Sequence, residues 1–566
     1  MASPTNASAR DATGTQTRYA DGPNDPKTRS QHAASQEPTH QQSTVSPLIA
    51  AVVQETLRQE KASASKNESA AEATNSGAIS SEETRAGQRL AAFFAAPDIA
   101  SQLDACFGTG WRDDPSLSTA DAITRRLHQQ VAQIDKLLND QVNAILHHPR
   151  FQKLESSWRG IAYLVGQASA AGDPMVKVRI LNAKWKEIAR DFDRASEFDQ
   201  SQIFKKVYEE EFGIAGGHPF GLLIGDYSVR HKIGGGYSTD DVSVLRSMSG
   251  VAAAAFCPFL CAADAKLFDF DHFGDLEVTR DHAAYQTRPD YARWNRLREQ
   301  EDARFLGVLL PRILMRGVYE CRSDRPDGFV FTEDASDPEG RGYLWGNPAY
   351  AYASVVIRSF ADSGWLADLR GLRQDEESGG LVSSLPAIHF PTDSRSLIPC
   401  PVTDVVISDA LERQLSELGL IPLCDCKDKP LAVFASGQSL QKAKKYDTDA
   451  ATANARISSM LPYMLTVSRF AHYVKILARN RTGGFTTSEG LQRILSDWIA
   501  DYVTPDREAS AEVKSRRPLR EAEIRVREEP GRPGSFRCTI NLSPHYELDD
   551  MVGSVRLSTT IAGSPV

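Results

Sequence analysis

The sequence predicts an α/β fold, α+β over the whole chain: a helix-covered sheet in the middle, long helices before it and a small helix-and-strand module after it. Three observations predict this. Short apolar runs of strand length, MVKVRILNA, PFGLLIGDY, AFCPFLCAA and FLGVLLPRI, alternate with helical stretches such as TDDVSVLRSMSGVAAAA and YARWNRLREQEDAR. A near-heptad apolar repeat runs from Ala120 to His148. A single amphipathic helix near 487–503 precedes three short segments with strand alternation, EAEIRVREE, GSFRCTINLS and SVRLSTTI.

With 566 residues the chain has room for roughly two to four domains. Charged residues make up 25% and the formal net charge is −9. That balance excludes a general nucleic-acid binder, which needs a basic surface. The eight cysteines are sparse for this length and fit a reducing compartment rather than a disulfide framework. The N-terminus MASPTNASARDATGTQ has no basic stretch followed by an apolar run. The longest apolar run, Val251 to Ala263, contains Pro258 and is too short to span a bilayer. No direct membrane insertion is expected, and the cytoplasm is the expected location.

Taken in order, residues 1–88 form an extension rich in Ser, Thr, Ala, Gln and Asn, whose composition predicts disorder. Within it, 47–60 reads as a short amphipathic helix opened by Pro47, with Ile49, Val52, Val53 and Leu57 on one stripe. Such a helix is too short to stand alone. It either docks on its own body or fits a groove on a partner.

Residues 89–446 form the α/β domain, helical over 120–168. The heptad positions are Ile123, Leu127, Val131, Ile134, Leu138, Val142 and Ile145, and Pro149 ends the helix. A second helix follows, RFQKLESSWRGIAYLVGQA, with Leu154, Trp158, Ile161, Ala162 and Val165 expected inward. Further helices are expected at Pro348–Asp362 and Ser408–Leu418, with LIPLCDC and PLAVFAS as a strand pair.

Residues 447–566 form the C-terminal domain. The helix from Asn454 to Arg479 contains Pro462, where a break or kink is expected. The helix after it places Leu491, Ile494, Leu495, Trp498, Ile499 and Val503 on a buried stripe, and Pro505 stops it. In the strands, Ile524, Val526, Phe536, Cys538, Ile540 and Leu542 share one face. Arg525, Arg527, Arg537, Thr539 and Asn541 share the other. A sheet with one apolar face and open edges needs a helix beneath it, and strands of another chain are candidates to lie beside it.

Motifs for chemistry are weak. The glycine cluster HKIGGGYSTDD (231–241) lacks the lysine of a phosphate loop. Cys424-x-Cys426 has the wrong spacing for a zinc knuckle. His147 and His148 point to different faces of a helix, and no further ligand stands one turn away. Asp269 and Asp271 in FDFDHF fall on one side of an extended segment, but two carboxylates are few for a cation. Asp226-Tyr227 with Arg230-His231 is the other acid–base candidate. No catalytic residue, metal ligand or cofactor site is assigned.

One string adds to this. HHPRFQKLESSWRGIAYLV closely resembles the signature of the large sheath subunit of bacterial type VI secretion systems, a relative of contractile phage tail sheaths. Further blocks agree in order: FGLLIGDYSVRH, SVLRSMSGVAAAAFCPFLCAADAKLF, RFLGVLLPRILMR, YLWGNPAYAYASVVIRSF and LPYMLTVSRFAHYVKILARNRTGGF. The resemblance spans residues 120 to 560 and leaves the N-terminal extension outside.

The resemblance implies a sheath-type core, a baseplate-like C-terminal domain and a structural, non-enzymatic role. The chain would pair with a small sheath subunit and stack with copies of itself around an inner tube. It would dock at the cell envelope of a Gram-negative bacterium through a baseplate and be recycled by a hexameric ATPase. The same resemblance suggests three sites: Arg493, Asp497 and Asp501 facing the inner tube or solvent; a strand linkage at 520–543 with Ile524, Val526, Phe536, Ile540 and Leu542 as its apolar face; and the 47–60 helix as the ATPase recognition segment. The alternatives are a phage-derived tail sheath with no small partner, and an α/β enzyme using Asp269 and Asp271 or the glycine cluster.

Overall fold

The computed structural model describes residues 88–89, 91–234, 237–279, 282, 287–319, 329–335, 342–372, 377–388, 400–427, 429–481, 487–530, 535–545, 547–548, 551–552 and 555–561. The chain divides into two compact units, Met1–Arg126 and Leu127–Val566.

The elements used below are, in chain order, α1 (Ile99–Phe107), α2 (Ala120–Leu146), α3 (Pro149–Ala171), α4 (Trp185–Arg194), β1 (Leu223–Val229), α5 (Asp241–Ala255), β2 (Phe259–Ala263), α6 (Ala292–Arg298) and β3 (Leu306–Leu310). They continue with α7 (Ala349–Ser363), α8 (Asp409–Glu417), β4 (Ile421–Pro422), α9 (Asp449–Ser458), α10 (Leu461–Arg481), α11 (Ser488–Ala500), β5 (Leu519–Glu528), β6 (Phe536–Pro544) and β7 (Val555–Ile561).

In the first unit, Asp98 caps α1 by accepting a hydrogen bond from the Ser101 N–H at 2.9 Å. Asp104 accepts one from Trp111 Nε1 at 2.7 Å and pairs with Arg112 at 3.1 Å, tying the helix to the turn after it.

The second unit is built on a parallel sheet of order β1-β2-β3-β4. Every residue of β2 and β3 is buried, as parallel strands under helices on both faces must be. Alternation sorts their side chains into two cores. Phe259, Cys261, Leu306, Val308 and Leu310 join the core that holds α5; Leu260, Leu309 and Ile421 join the core that holds α7. The expected strand pair is split: Ile421–Pro422 extends the parallel sheet, and Cys424–Asp425 pairs antiparallel with Ala432–Val433.

Two expectations are overturned. MVKVRILNA forms no strand: residues 176–183 lie outside every helix and sheet, although the alternation is real. The second is the face of α3, where of the expected apolar residues Ile161 alone packs on the core. Its inward side is Ser156, Gly160 and Leu164. Leu154, Trp158 and Val165 are 54%, 64% and 47% exposed. The cause is Tyr350 of α7, whose ring lies where a side chain on residue 160 would begin: a Cβ there would sit 2.3 Å from Cε2. Glycine lets the ring in, and that close approach sets which side of α3 faces the core.

Pro462 marks a break. α9 ends at Ser458 and α10 starts at Leu461, so the proline occupies the first turn of a new helix, where its missing N–H costs nothing. From there α10 runs through the centre: Leu461 and Leu465 belong to one core, while Tyr463, Met464, Val467, Phe470 and Val474 belong to the other.

That second core continues into the C-terminal module. It takes in Leu491, Leu495 and Ile499 of α11, and Ile524, Val526, Phe536, Cys538, Ile540 and Leu542 of the sheet β5-β6-β7. The strands pair antiparallel, with Ile524 opposite Ile540 and Val526 opposite Cys538. Trp498 is only half-buried and packs on Phe470, Tyr473 and Tyr502. Each large apolar side chain so buried contributes about 1.5–3 kcal/mol, so the module is held by α10 as much as by its own small core. Among the described residues no helix is long and apolar enough to cross a membrane.

Candidate interaction surfaces

The sequence of α2 makes it amphipathic, and the structure turns it the unusual way round. Its polar stripe faces the protein. Asn139 Oδ1 accepts from the Thr332 N–H at 3.2 Å; Asn143 donates to the Thr332 carbonyl at 3.3 Å and accepts from the Asp334 N–H at 3.0 Å; His147 Nε2 lies 3.2 Å from Glu333 Oε1. Positions 139, 143 and 147 are each one turn apart, so they form a ladder along one side of the helix.

The ladder ends in a buried ion cluster. Arg316 donates to both oxygens of Glu333, at 2.5 and 2.8 Å, and to Glu155 of α3 at 2.9 Å. The Tyr319 N–H adds a third bond to Glu333 at 3.0 Å. Burial alone would raise the Glu333 carboxyl, but the Arg316 and Tyr319 hydrogen bonds and the guanidinium charge together bring it below the ordinary carboxylate range.

The apolar stripe of α2 faces out. Val131, Ile134, Leu137, Leu138 and Ile145 are between 42% and 64% exposed, and no residue of the helix is fully buried. Val131, Ile134, Leu138 and Ile145 keep the a/d spacing of a coiled-coil seam. On α3, Phe151, Leu154, Trp158 and Val165 are exposed as well. Exposed apolar side chains at this density on two successive helices mark an interaction surface.

A second surface lies in the C-terminal module. β5 is an edge strand, and a groove of about 740 Å³ runs between it and α11, lined by Gln492, Ser496, Ile499, Val503, Ile524 and Val526 among others. The Val526 N–H donates to Gln492 Oε1 at 3.0 Å. Since alternate residues of a strand aim their backbone groups at one edge, those of Ala522 and Ile524 also face the groove. The apolar residues expected at a strand linkage are all buried within this chain: Ile524, Val526, Phe536, Ile540 and Leu542 are at most 7% exposed.

Arg493, Asp497 and Asp501 are exposed on one side of α11, one turn apart, opposite the buried Leu491, Leu495 and Ile499. Ile49, Val52, Val53 and Leu57 lie outside the described residues.

The motifs weighed for chemistry do not converge. Asp269 sits in a left-handed turn, φ 61°, not in an extended segment, and pairs with Lys232 at 2.6 Å. Asp271 pairs separately with Lys266. Asp226 holds Lys153 and Ser157, while Arg230 holds Asp264 at 2.9 Å. Where the glycine cluster meets α5, Asp241 fills the helix start, accepting from Trp185 Nε1 at 2.7 Å and the Arg230 N–H at 2.8 Å. A buried carboxylate there repels a phosphate. His148 caps α3, its Nδ1 accepting from the Arg150 N–H at 3.3 Å. Burial pushes the Cys424 thiol up to about 12. Among the described residues no group of three or more His, Cys, Asp or Glu is placed to share a metal ion.

The polar ladder is what sequence reasoning missed. Its signal was present: Asn139, Asn143 and His147 stand at helical spacing opposite the apolar stripe. Its partner strand of chain, near 332–334, carries no pattern that marks it.

Two family models and one relative match the chain. Residues 128–441 match the tail sheath N-terminal domain of the EvpB/VC_A0108 family, and residues 450–561 match that family's tail sheath gpW/gp25-like domain. The chain is 40% identical over 449 residues to the type VI secretion system sheath protein TssC1 of Pseudomonas aeruginosa, covering 79% of this chain and 87% of that protein. The chain therefore belongs to the EvpB/VC_A0108 tail sheath family.

Proposed function

We propose that the chain is the large subunit of a contractile sheath, a structural protein that works through its interfaces. It pairs with a small sheath subunit, and the pairs stack with further copies into a helical tube around an inner tube. The sheath rests on a baseplate at the cell envelope, on the cytoplasmic side, and contracts to propel the inner tube for protein secretion. The observation that carries this reading is the inverted α2, which turns its polar side to its own body and its apolar seam outward. An apolar seam left on the surface marks a site that a partner covers.

The remaining parts take roles in the same scheme. The groove beside β5 is where a strand from a neighbouring copy adds, with Ile524, Val526, Phe536, Ile540 and Leu542 holding the sheet beneath it. Arg493, Asp497 and Asp501 face the inner tube, giving an attraction weak enough to release on contraction. The 47–60 helix, with Ile49, Val52, Val53 and Leu57, is the handle for the recycling ATPase. Contraction draws on conformational energy stored at assembly, so the chain needs interfaces with two arrangements and no catalytic step.

Co-expression with the small sheath subunit, followed by negative-stain imaging, tests the reading. Cogwheel-like tubes that need both chains are expected. Tubes from this chain alone would assign it to a phage-type sheath, and discrete particles with both chains present would overturn the sheath assignment.

A further inference from the structure

One side of α10 is polar although the helix runs through the centre. Ser468, His472, Lys475 and Arg479 stand four, three and four residues apart, so they share one face. The wall opposite is aromatic. It comes from Tyr208 and Phe212, in and just after the short π-helical turn Lys205–Glu209. Phe212 is 2% exposed, and the His472 ring meets it edge-on at 5.2 Å between centroids. Arg479 Nη1 donates to the Ile214 carbonyl at 2.6 Å, closing the far end of the face.

Lys475 lies between these two with no acid to meet it. Its Nζ stands 3.6 Å from the centre of the Phe212 ring and 4.6 Å from that of Tyr208, and it donates to the Tyr208 hydroxyl at 3.2 Å. A ring face attracts an ammonium, but without the full negative charge that would lock its proton in place. Three carboxylates stand beside the wall in sequence. Glu211 is held by Arg179 and by the His218 N–H at 2.9 Å, while Glu209 and Glu210 are exposed and pair with no described residue. No carboxylate of a described residue pairs with Lys475. Burial first, and then the Arg479 charge one turn on, lower the Lys475 amine to about 8. Near neutral pH a sizeable share of it therefore carries a free electron pair.

We infer that Lys475 is a modification site: its Nζ, set against the Tyr208 and Phe212 rings without an acid partner, takes an acyl group from a small acyl phosphate. The free pair on nitrogen attacks the acyl carbonyl carbon and a C–N bond forms. The C–O bond to phosphate breaks, phosphate leaves with that electron pair, and the proton released from nitrogen passes to water. The product is a neutral amide, so the cation over Phe212 is lost. A small donor suits a side chain that is only partly exposed.

The test is acetyl phosphate on the purified full chain, with initial rates at each lysine read by peptide mass spectrometry between about pH 7 and about pH 9.5. Lys205 and Lys206, exposed on the same π-helical turn, are the internal standards. At about pH 7.5 Lys475 reacts at least ~10-fold faster than either, and its rate levels off above about pH 8.5 while theirs keeps rising. Urea that unfolds the chain abolishes the preference. Arg479→Glu sets a carboxylate one turn from the amine, slows Lys475 by at least ~5-fold and moves its plateau to higher pH.

A rate at Lys475 no greater than at Lys205 and Lys206, or one that climbs with theirs across the whole range, overturns the inference. So does a preference that survives in urea, which would belong to the local sequence and not to the fold. An unchanged rate in a folded Arg479→Glu chain overturns it too; where that variant does not fold, the wild-type pH profile and the urea control decide. Reaction with an acetyl thioester but not with acetyl phosphate overturns the donor assigned. The inference does not rest on the sheath reading, and none of these outcomes touches it.

Discussion

α10 and α2 are both long helices, and they do opposite things with their apolar residues. α10 is buried from Leu461 to His472 at every position but Arg469, dividing its side chains between the two cores and carrying the C-terminal module. α2 buries no residue fully, and within the second unit a polar ladder fastens it to 332–334 while its apolar seam faces out. The contrast separates two uses of hydrophobicity in one chain. In α10 the driving force folds the subunit; in α2 the apolar side chains are left on the surface.

The largest break in that contrast comes from α10. Phe470 is fully buried and stacks on Trp365 at 3.9 Å between ring centroids, with Trp498 and Tyr502 against its edges. Phe470→Ala leaves a cavity where the sheet core meets the C-terminal module and costs about 3–5 kcal/mol. Urea unfolding of the lone chain measures it. A loss under about 1 kcal/mol would mean that α10 is not the structural axis.

Next comes the fastening of α2. Glu333→Gln keeps the shape but removes the charge that Arg316 and His147 face, leaving a buried guanidinium with one carboxylate, Glu155, in place of two. Breaking a buried pair from one side costs about 3 kcal/mol. Hydrogen exchange should rise along α2 before it rises in β2 or β3. The pH dependence has a definite sign. The Glu333 carboxyl is held below its unfolded value, so its contribution is complete above the unfolded pKa and is lost as pH falls through the folded one. Glu333→Gln should therefore lose stability near neutral pH and be closer to wild type in acid.

A similar loss enters through α10 at higher pH. His472 is buried, with Nε2 2.8 Å from the Ala255 carbonyl, and burial lowers its pKa to about 4. The unfolded chain takes up this proton near pH 6.5 and the folded chain does not, so stability falls as pH drops from 6.5 toward 4. The loss over that range is roughly 3 kcal/mol. His472→Gln keeps a side-chain amide to donate to the carbonyl and should flatten the slope between pH 6.5 and 4.5, read by denaturant unfolding at each pH.

Which of these features the sequence revealed follows from how local their causes are. The three long central strands, the break at Pro462 and the two faces of the C-terminal sheet are written in spacing and in single residues. Ile524 and Val526 alternate with arginines, and no distant contact is needed to place them. The inward side of α3 was not legible, because the reason Gly160 faces the core is Tyr350, 190 positions away. The polar ladder was not legible for the same reason: nothing near Asn139 and Asn143 in sequence marks 332–334 as their partner. Segment 176–183 was misread in a more instructive way. Its alternation is that of a strand, and a strand needs a neighbour that no described part of this chain supplies.

The smallest effect on the lone chain is the sharpest test of the comparison. Ile134 and Leu138 sit mid-seam on α2, 56% and 42% exposed. Glutamine matches the helix propensity of leucine and exceeds that of isoleucine, so Ile134→Gln with Leu138→Gln leaves the helix intact and removes little packing. The lone chain should unfold within about 0.5 kcal/mol of wild type. Binding of the small subunit should weaken by more than ~100-fold, because two side chains that would be buried in the seam, each worth about 1.5–3 kcal/mol, are gone. Titration of the purified small subunit against both proteins reads this directly. Equal affinity would remove α2 from the interface and leave its exposed seam without the partner proposed for it. A large loss of stability would place the seam in the subunit's own core, and the opposition between α2 and α10 would collapse. Only stability held and binding lost keeps folding and assembly on different helices.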